Sequence, residues 1–194
     1  MDGKPTHHSI IILDVERYGT RSDEDQKWLR RQMYWVFEEA LNWADIPWSP
    51  QLTQDRGDSI ILLVPATVPK KNITYGLVHH LNRELTGCAR RSTEPMRMRL
   101  ALHAGEVARD DRGWIGTDLN TACRLVDLDA PREALAMSAE ANLVVVVSDL
   151  WFRSVVRQDP VLVDHFAFRQ VPFKAKEVDD YAWIHVPRSS TAAE

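Results

Sequence analysis

Cysteine is scarce: Cys88 and Cys123 are the two in a chain of 194 residues. They have neither the paired spacing of a metal knuckle nor the density of a disulfide framework, so a reducing cytoplasm is the expected compartment. An excess of basic residues is also lacking. Lys and Arg number 24 against 28 Asp and Glu, giving a net charge of -4 and a pI near 6.0, which excludes a broad electrostatic grip on nucleic acid but leaves room for a small basic pocket. Long apolar runs are missing as well. The stretches around Ile10–Leu13 and Val144–Val147 fall far short of the roughly 18 residues a membrane helix needs. The polar start Met1–His8, followed by an apolar stretch that ends in Asp14, is not a signal peptide. No Walker A sequence and no GxGxxG are present, so the glycine-rich phosphate loops are excluded.

What is present is enough apolar residue, 44%, to bury one sizeable core. Ser9–Val15 is a β-branched run of the kind buried on both faces of a sheet. From Ser22 to Ala44, apolar residues at helical spacing predict a helix capped by Ser22 or Asp23 and stopped by Pro47. Strands over 51–56 and 59–64 are joined at Gly57-Asp58 as a hairpin. A second amphipathic helix is expected over 72–90, a half-buried strand over 96–103, and a polar loop over 109–113. A helix from Thr117, a strand over 142–148 with a short helix after it, and two strands between Phe166 and Val186 complete the chain. This order predicts an α+β fold related to the ferredoxin-like plan, an antiparallel-rich sheet covered by helices. Residues 1–8 are expected to be a disordered N-terminus, 9–187 the domain, and 188–194 a frayed tail.

Two carboxylates stand out. Asp14 sits where a buried strand emerges and Asp58 at a hairpin tip; on neighbouring strands they would converge on one rim, as hard divalent cations such as Mg2+ and Mn2+ require. Alone, each also fits an ordinary strand end or turn. Asn120 and Arg124 are four apart on a helix and share a face. Arg suits a phosphoryl group because its rigid fork spreads charge over oxygens that grow more negative in a transition state; a solvated helix face is the bland alternative.

In combination and order, these residues resemble the class III nucleotidyl cyclase catalytic domain, the adenylate and guanylate cyclase family. The resemblance runs from about Ser9 to Val186. It rests on Leu13-Asp14-Val15 with Tyr18, Gly57-Asp58-Ser59, His103-Ala104-Gly105-Glu106-Val107, and above all Gly116 leading to Asn120-Thr121-Ala122-Cys123-Arg124-Leu125, with Val147-Ser148 and Phe173-Lys174-Ala175-Lys176 as later landmarks. It implies a head-to-tail homodimer with two composite sites, inactive as monomers. Asp14, the Val15 carbonyl and Asp58 would hold two Mg2+ or Mn2+ ions per site. One of them would lower the pKa of the ribose 3′-hydroxyl for attack on the α-phosphorus, with pyrophosphate leaving. From the other chain Asn120 would position ribose and Arg124 would stabilise the pentavalent phosphoryl group. Lys174 or Lys176, on one face of an extended segment, would grip the outer phosphates.

The chain departs from the family at three places. Arg17 replaces the usual glycine three residues after the first metal Asp, where it crowds the phosphate loop or adds a phosphate contact. The base-selecting positions hold Gln54 and Gly113 rather than either purine pair, and Arg56 beside the turn is a further candidate for the pocket. Bacterial pyrimidine cyclases of antiphage (antiviral) defence share the fold, the compact form and such a departure, so cUMP and cCMP stand as products beside cAMP and cGMP. Two rival readings remain: a catalytically inactive cyclase-like dimer acting as a nucleotide-sensing or interaction module, and a diguanylate-cyclase relative, which lacks its Gly-Gly-Asp/Glu-Glu-Phe-like turn here. His79-His80 point about 100° apart on a helix and suit a surface pair better than a metal site. The seven tryptophans are expected mostly in the core or a dimer interface, with Trp114 near the base.

Overall fold

The computed structural model describes residues 3–91, 95–159, 167–175 and 178–188. Lys176, Phe166 and the tail beyond Arg188 lie outside the described residues.

Strand β1 (Thr6–Val15) is buried from His8 onward. Alternation sends Ile11, Leu13 and Val15 to one face and Ile10 and Ile12 to the other, and the same parity puts Asp14 on the second face. Helix α1 (Asp23–Trp43) starts at Ser22, whose Oγ accepts from the Asp25 N–H at 3.2 Å. Its buried stripe of Leu29, Met33, Val36, Phe37, Ala40 and Leu41 packs on the first face, where losing a ring such as Phe37 would cost about 3–5 kcal/mol. The helix ends at Trp43, before Pro47 is reached, and Asp45 just beyond it turns the chain at a left-handed φ of 54°.

Strands β2 (Thr53–Asp55) and β3 (Ser59–Pro65) form the expected hairpin, with Gly57 at φ 90° in the turn. A π-helical turn (Asn72–Leu77) then leads into α2 (Val78–Ala89), which joins α1 on the first face. Strand β4 (Met98–Asp110) closes a four-strand core of order β2-β3-β1-β4, antiparallel throughout, the ferredoxin-like plan.

Beyond it, β5 (Gly113–Ile115) folds back on β4, and α3 (Thr117–Val126) and α4 (Asp129–Met137) cover the second face. They cross over to β6 (Leu143–Ser148), parallel to β4. Helix α5 (Asp149–Ser154) precedes β7 (Arg169–Ala175) and β8 (Val178–His185), giving an eight-stranded sheet of order β2-β3-β1-β4-β6-β8-β7 with β5 beside β4. Among the described residues no helix is long and apolar enough to cross a membrane.

Several expectations shift. β1 begins at Thr6, inside the segment expected to be disordered, because Thr6–His8 pair with Gly105–Val107 of β4. The polar residues 109–113 form a strand end and a hairpin rather than a loop. There Asp110 Oδ1 accepts from the Arg112 and Gly113 N–H groups at 2.7 and 2.9 Å, turning the chain sharply. β5 and α4 are additional elements. Trp151 is buried, but Trp28, Trp35 and Trp43 on α1 are exposed. His80 stacks on Trp43.

Candidate active site

Asp14 ends β1 between two partners in register, Ser59 of β3 and Arg99 of β4. Asp58 precedes β3, and its carbonyl accepts the Val15 N–H at 3.0 Å, which ties the two acidic positions together through the backbone. Both side chains line one pocket of about 250 Å³, together with Ile12, Arg56, Cys123 and Asp127. Burial raises the Asp14 pKa, Arg99 opposes the rise by charge and hydrogen bond, and Asp58 and Asp127 add to it.

Arg99 is a residue the sequence reading missed. Its Nε donates to Asp14 Oδ2 at 2.8 Å and its terminal nitrogen reaches the same oxygen, both side chains being buried. The alternation that suggested a half-buried strand set Arg99 on the polar side. Only the β1–β4 register shows that side to be covered, with Arg99 directly opposite Asp14.

The turn that carries Asp58 is clamped to α1. Arg30 pairs with Asp55 and donates to the Gly57 carbonyl at 3.0 Å. Asp55 Oδ1 accepts from the Gly57 N–H at 2.7 Å and Oδ2 from the Tyr34 hydroxyl at 2.5 Å. Burial would raise the Asp55 pKa, but these bonds outweigh it and hold the carboxyl at about 2. Burial, followed by the bond to Asp55, pushes the Tyr34 hydroxyl up to about 12.

The remaining candidates fall into three groups. Arg56 lies at the acidic pocket, where its charge opposes the burial that raises the Cys123 thiol. Gln54, half-buried on β2 opposite Ile61, is at the same end of the sheet. Arg17 and Tyr18 follow directly. Arg17 has φ 57° and ψ 29°, the left-handed conformation a glycine would adopt freely, and its exposed side chain lines a second pocket of about 470 Å³ with Arg21 and Arg97. Tyr18 is half-buried and packs on the core.

Helix α3 contributes Asn120, exposed, and Arg124, half-buried one turn on, while Cys123 and Asp127 near its end border the Asp14 pocket. Gly113 and Trp114 sit at the β4–β5 hairpin, eleven positions along β4 from Arg99, roughly 36 Å at about 3.3 Å per residue. One chain therefore does not bring Gly113 to Gln54, or Trp114 to the acidic pocket. Trp114 instead packs against the Arg109 guanidinium. Lys174 is on the outermost strand β7, 74% exposed, 3.7 Å from Asp179.

The donor set suits a hard cation: two adjacent carboxylates on a pocket, with a backbone carbonyl beside them. Among the described residues no cluster of three carboxylate, imidazole or thiolate side chains could enclose a metal.

Neither a family model nor a curated protein sequence matches the chain. Solved structures do. An adenylate/guanylate cyclase/hydrolase from Silicibacter pomeroyi superposes with a TM-score of 0.65 at 18% identity, covering 96% of this chain and 99% of that one. A bacterial light-regulated adenylyl cyclase gives 0.61 at 12% identity, covering 97% and 93%. The guanylate cyclase domain of RhGC from Catenaria anguillulae, in complex with GTP, gives 0.58 at 13% identity, covering 97% and 100%. The strand order, the helices on both faces and these whole-chain superpositions agree: the chain has the fold of the class III nucleotidyl cyclase catalytic domain.

Proposed function

We propose that the protein is a nucleotidyl cyclase that converts a nucleoside triphosphate to a 3′,5′-cyclic nucleoside monophosphate and pyrophosphate, acting as a head-to-tail homodimer. The observation that carries this reading is the convergence of Asp14 and Asp58 on one pocket of this fold. These carboxylates and the Val15 carbonyl would hold two Mg2+ or Mn2+ ions. Bound there, the ions supply Lewis acidity that lowers the pKa of the ribose 3′-hydroxyl and offsets phosphate charge.

The chain's own groups do the rest. Asn120 of the partner copy orients the ribose by hydrogen bonds. Arg124 of the same copy sets its planar fork against the α-phosphoryl oxygens as their charge grows during in-line attack. Arg99 holds one oxygen of Asp14 through two nitrogens, which fixes the carboxylate where it lines the pocket. Lys174, on the exposed outer strand, or Lys176 would meet the outer phosphates.

The Gln54 amide both donates and accepts, and Gly113 offers backbone alone. This pair matches neither purine pattern, so the base stays open: cUMP or cCMP, made for antiphage signalling, stand as products beside cAMP and cGMP. Arg99 on Asp14 and Arg17 in place of glycine favour the second reading, an inactive cyclase-like dimer that senses nucleotides.

Incubating the pure protein with Mn2+ and each of ATP, GTP, CTP and UTP, with products identified by chromatography and mass, separates the two. Cyclic product from any triphosphate is expected. Its absence from all four, at concentrations where light scattering shows dimers, refutes the enzyme reading; binding without turnover then selects the sensor. Asp58→Ala and Arg124→Ala should each abolish product. Mixing the two variants should restore part of it by rebuilding one intact composite site, and failure to complement argues against the shared-site dimer.

A further inference from the structure

Helix α3 is docked on β4 by hydrogen bonds that the proposed chemistry does not use. Asp118 directs both carboxylate oxygens at the strand: Oδ2 accepts from the Glu106 N–H at 2.8 Å, and Oδ1 lies 3.3 Å from His103 Nε2. His103 Nδ1 lies 2.8 Å from Ser148 Oγ, which accepts from the Trp151 N–H at 3.2 Å. One proton arrangement satisfies every member. The carboxylate only accepts, so Nε2 carries the proton; Nδ1 then accepts from the Ser148 hydroxyl, whose lone pair remains for Trp151. Burial lowers the His103 pKa, with Asp118 opposing, in keeping with a neutral ring.

Gly105 makes the contact possible. A Cβ there would fall 2.0 Å from Asp118 Cγ, so any larger residue drives the carboxylate, and the helix with it, off the strand. The α3 N-cap is Gly116, which supplies no side-chain cap; Asp118, in the first turn of the helix, ties that end to the strand instead. The Ser, His and Asp here are not a hydrolytic triad. Ser148 and His103 are 4% and 5% exposed, and the hydroxyl is engaged in capping α5.

Asp118 stands two residues before Asn120 and six before Arg124. We propose that Asp118, His103 and Gly105 are positioning residues: they set the register of α3 on the sheet, and so the direction in which Asn120 and Arg124 project into a composite cyclase site. The proposal rests on the cyclase reading. A displacement of about 1 Å at such groups costs up to about 100-fold in rate.

The test is Asp118→Asn, nearly isosteric but with one accepting oxygen where two are used. In the full-length dimer, kcat at saturating nucleotide is expected to fall at least about tenfold while KM stays within about twofold. Amide hydrogen exchange is expected to rise across residues 117–124 and to stay unchanged in α1. Unchanged exchange across α3 overturns the proposal whatever the activity, and so does raised exchange with wild-type kcat. If Asp118→Asn does not fold, His103→Gln, which keeps the Glu106 bond, carries the same comparison. If the wild type forms no cyclic nucleotide, the cyclase reading falls, and the exchange comparison alone decides whether Asp118 fixes α3.

Discussion

Replacing Arg99 by methionine keeps an unbranched apolar stem, removes the guanidinium and leaves Asp14 as a buried carboxylate without its partner. The two side chains are 10% and 11% exposed, so solvent screens the pair little, and stripping one partner from such a pair costs about 3–5 kcal/mol. For a chain of this length each kcal/mol moves Tm by about 2–4 °C, so Arg99→Met should lower Tm by roughly 6–20 °C. The double variant Arg99→Met/Asp14→Leu removes both charges and should recover most of the loss.

The pH dependence has a definite sign. Burial already places the Asp14 pKa above its ordinary value, and removing Arg99 raises it further. A carboxylate raised in the folded state imposes its full penalty above the folded pKa, and the penalty vanishes once the pH is below the unfolded one. The Arg99→Met deficit should therefore narrow as pH falls from about 7 toward about 4. If Asp14 holds a metal, Mn2+ should raise the Tm of Arg99→Met more than that of the wild type, since the ion then supplies the missing positive charge. Thermal unfolding followed by circular dichroism, across pH and Mn2+ concentration, reads all of this. A Tm within about 2 °C of wild type at neutral pH, under 1 kcal/mol on this scale, or a deficit as large in acid as at neutrality, refutes the argument.

Asp55→Asn should destabilise the protein at neutral pH. Because the Asp55 pKa is depressed to about 2, its contribution is complete above the unfolded carboxylate value and is lost as pH falls through about 2. Acid unfolding of wild type and variant should therefore converge there; a constant gap contradicts the Arg30–Tyr34–Asp55 clamp. Gly57→Ala meets no atom within 4 Å of the new Cβ, so its cost is the left-handed backbone alone, about 1–2 kcal/mol by chemical denaturation. Arg17→Gly releases the strain at φ 57° and should change stability by less than about 1 kcal/mol in either direction. If Arg17 contacts phosphate, the same variant should raise KM for the triphosphate, and an unchanged KM excludes that contact.

Much of the fold can be read along the chain because each strong signal is local. The β-branched run of β1, the amphipathic stripes of α1 and α2, and the Gly57-Asp58 turn all report their own conformation. β5 escaped because it is three residues long and its partner, the end of β4, is a polar edge. α4 escaped because Asp127 and Leu128 alone separate it from α3, although Pro131 in its first turn is a signal that could have marked the new start. Asp14, Asp58 and the Asn120–Arg124 pair were found because their types are unusual for where they sit. Arg99 looked like the solvent side of a half-buried strand, and His103 and Asp118 lay in or beside stretches that carry the resemblance but had no role of their own, since their roles depend on partners 85 and 15 residues away.

The sequence by itself determined the α+β order of elements, the strand buried on both faces, and the placing of two carboxylates at strand and turn ends, because periodicity and turn chemistry act within a few residues. Only the tertiary structure decided what those carboxylates face. The register of β1 against β4 set Arg99 on Asp14, the β3 register brought Asp58 beside them, and the close approach at Gly105 seated α3. Registers and helix docking are set by side-chain packing between segments far apart in the chain, and no local pattern encodes them.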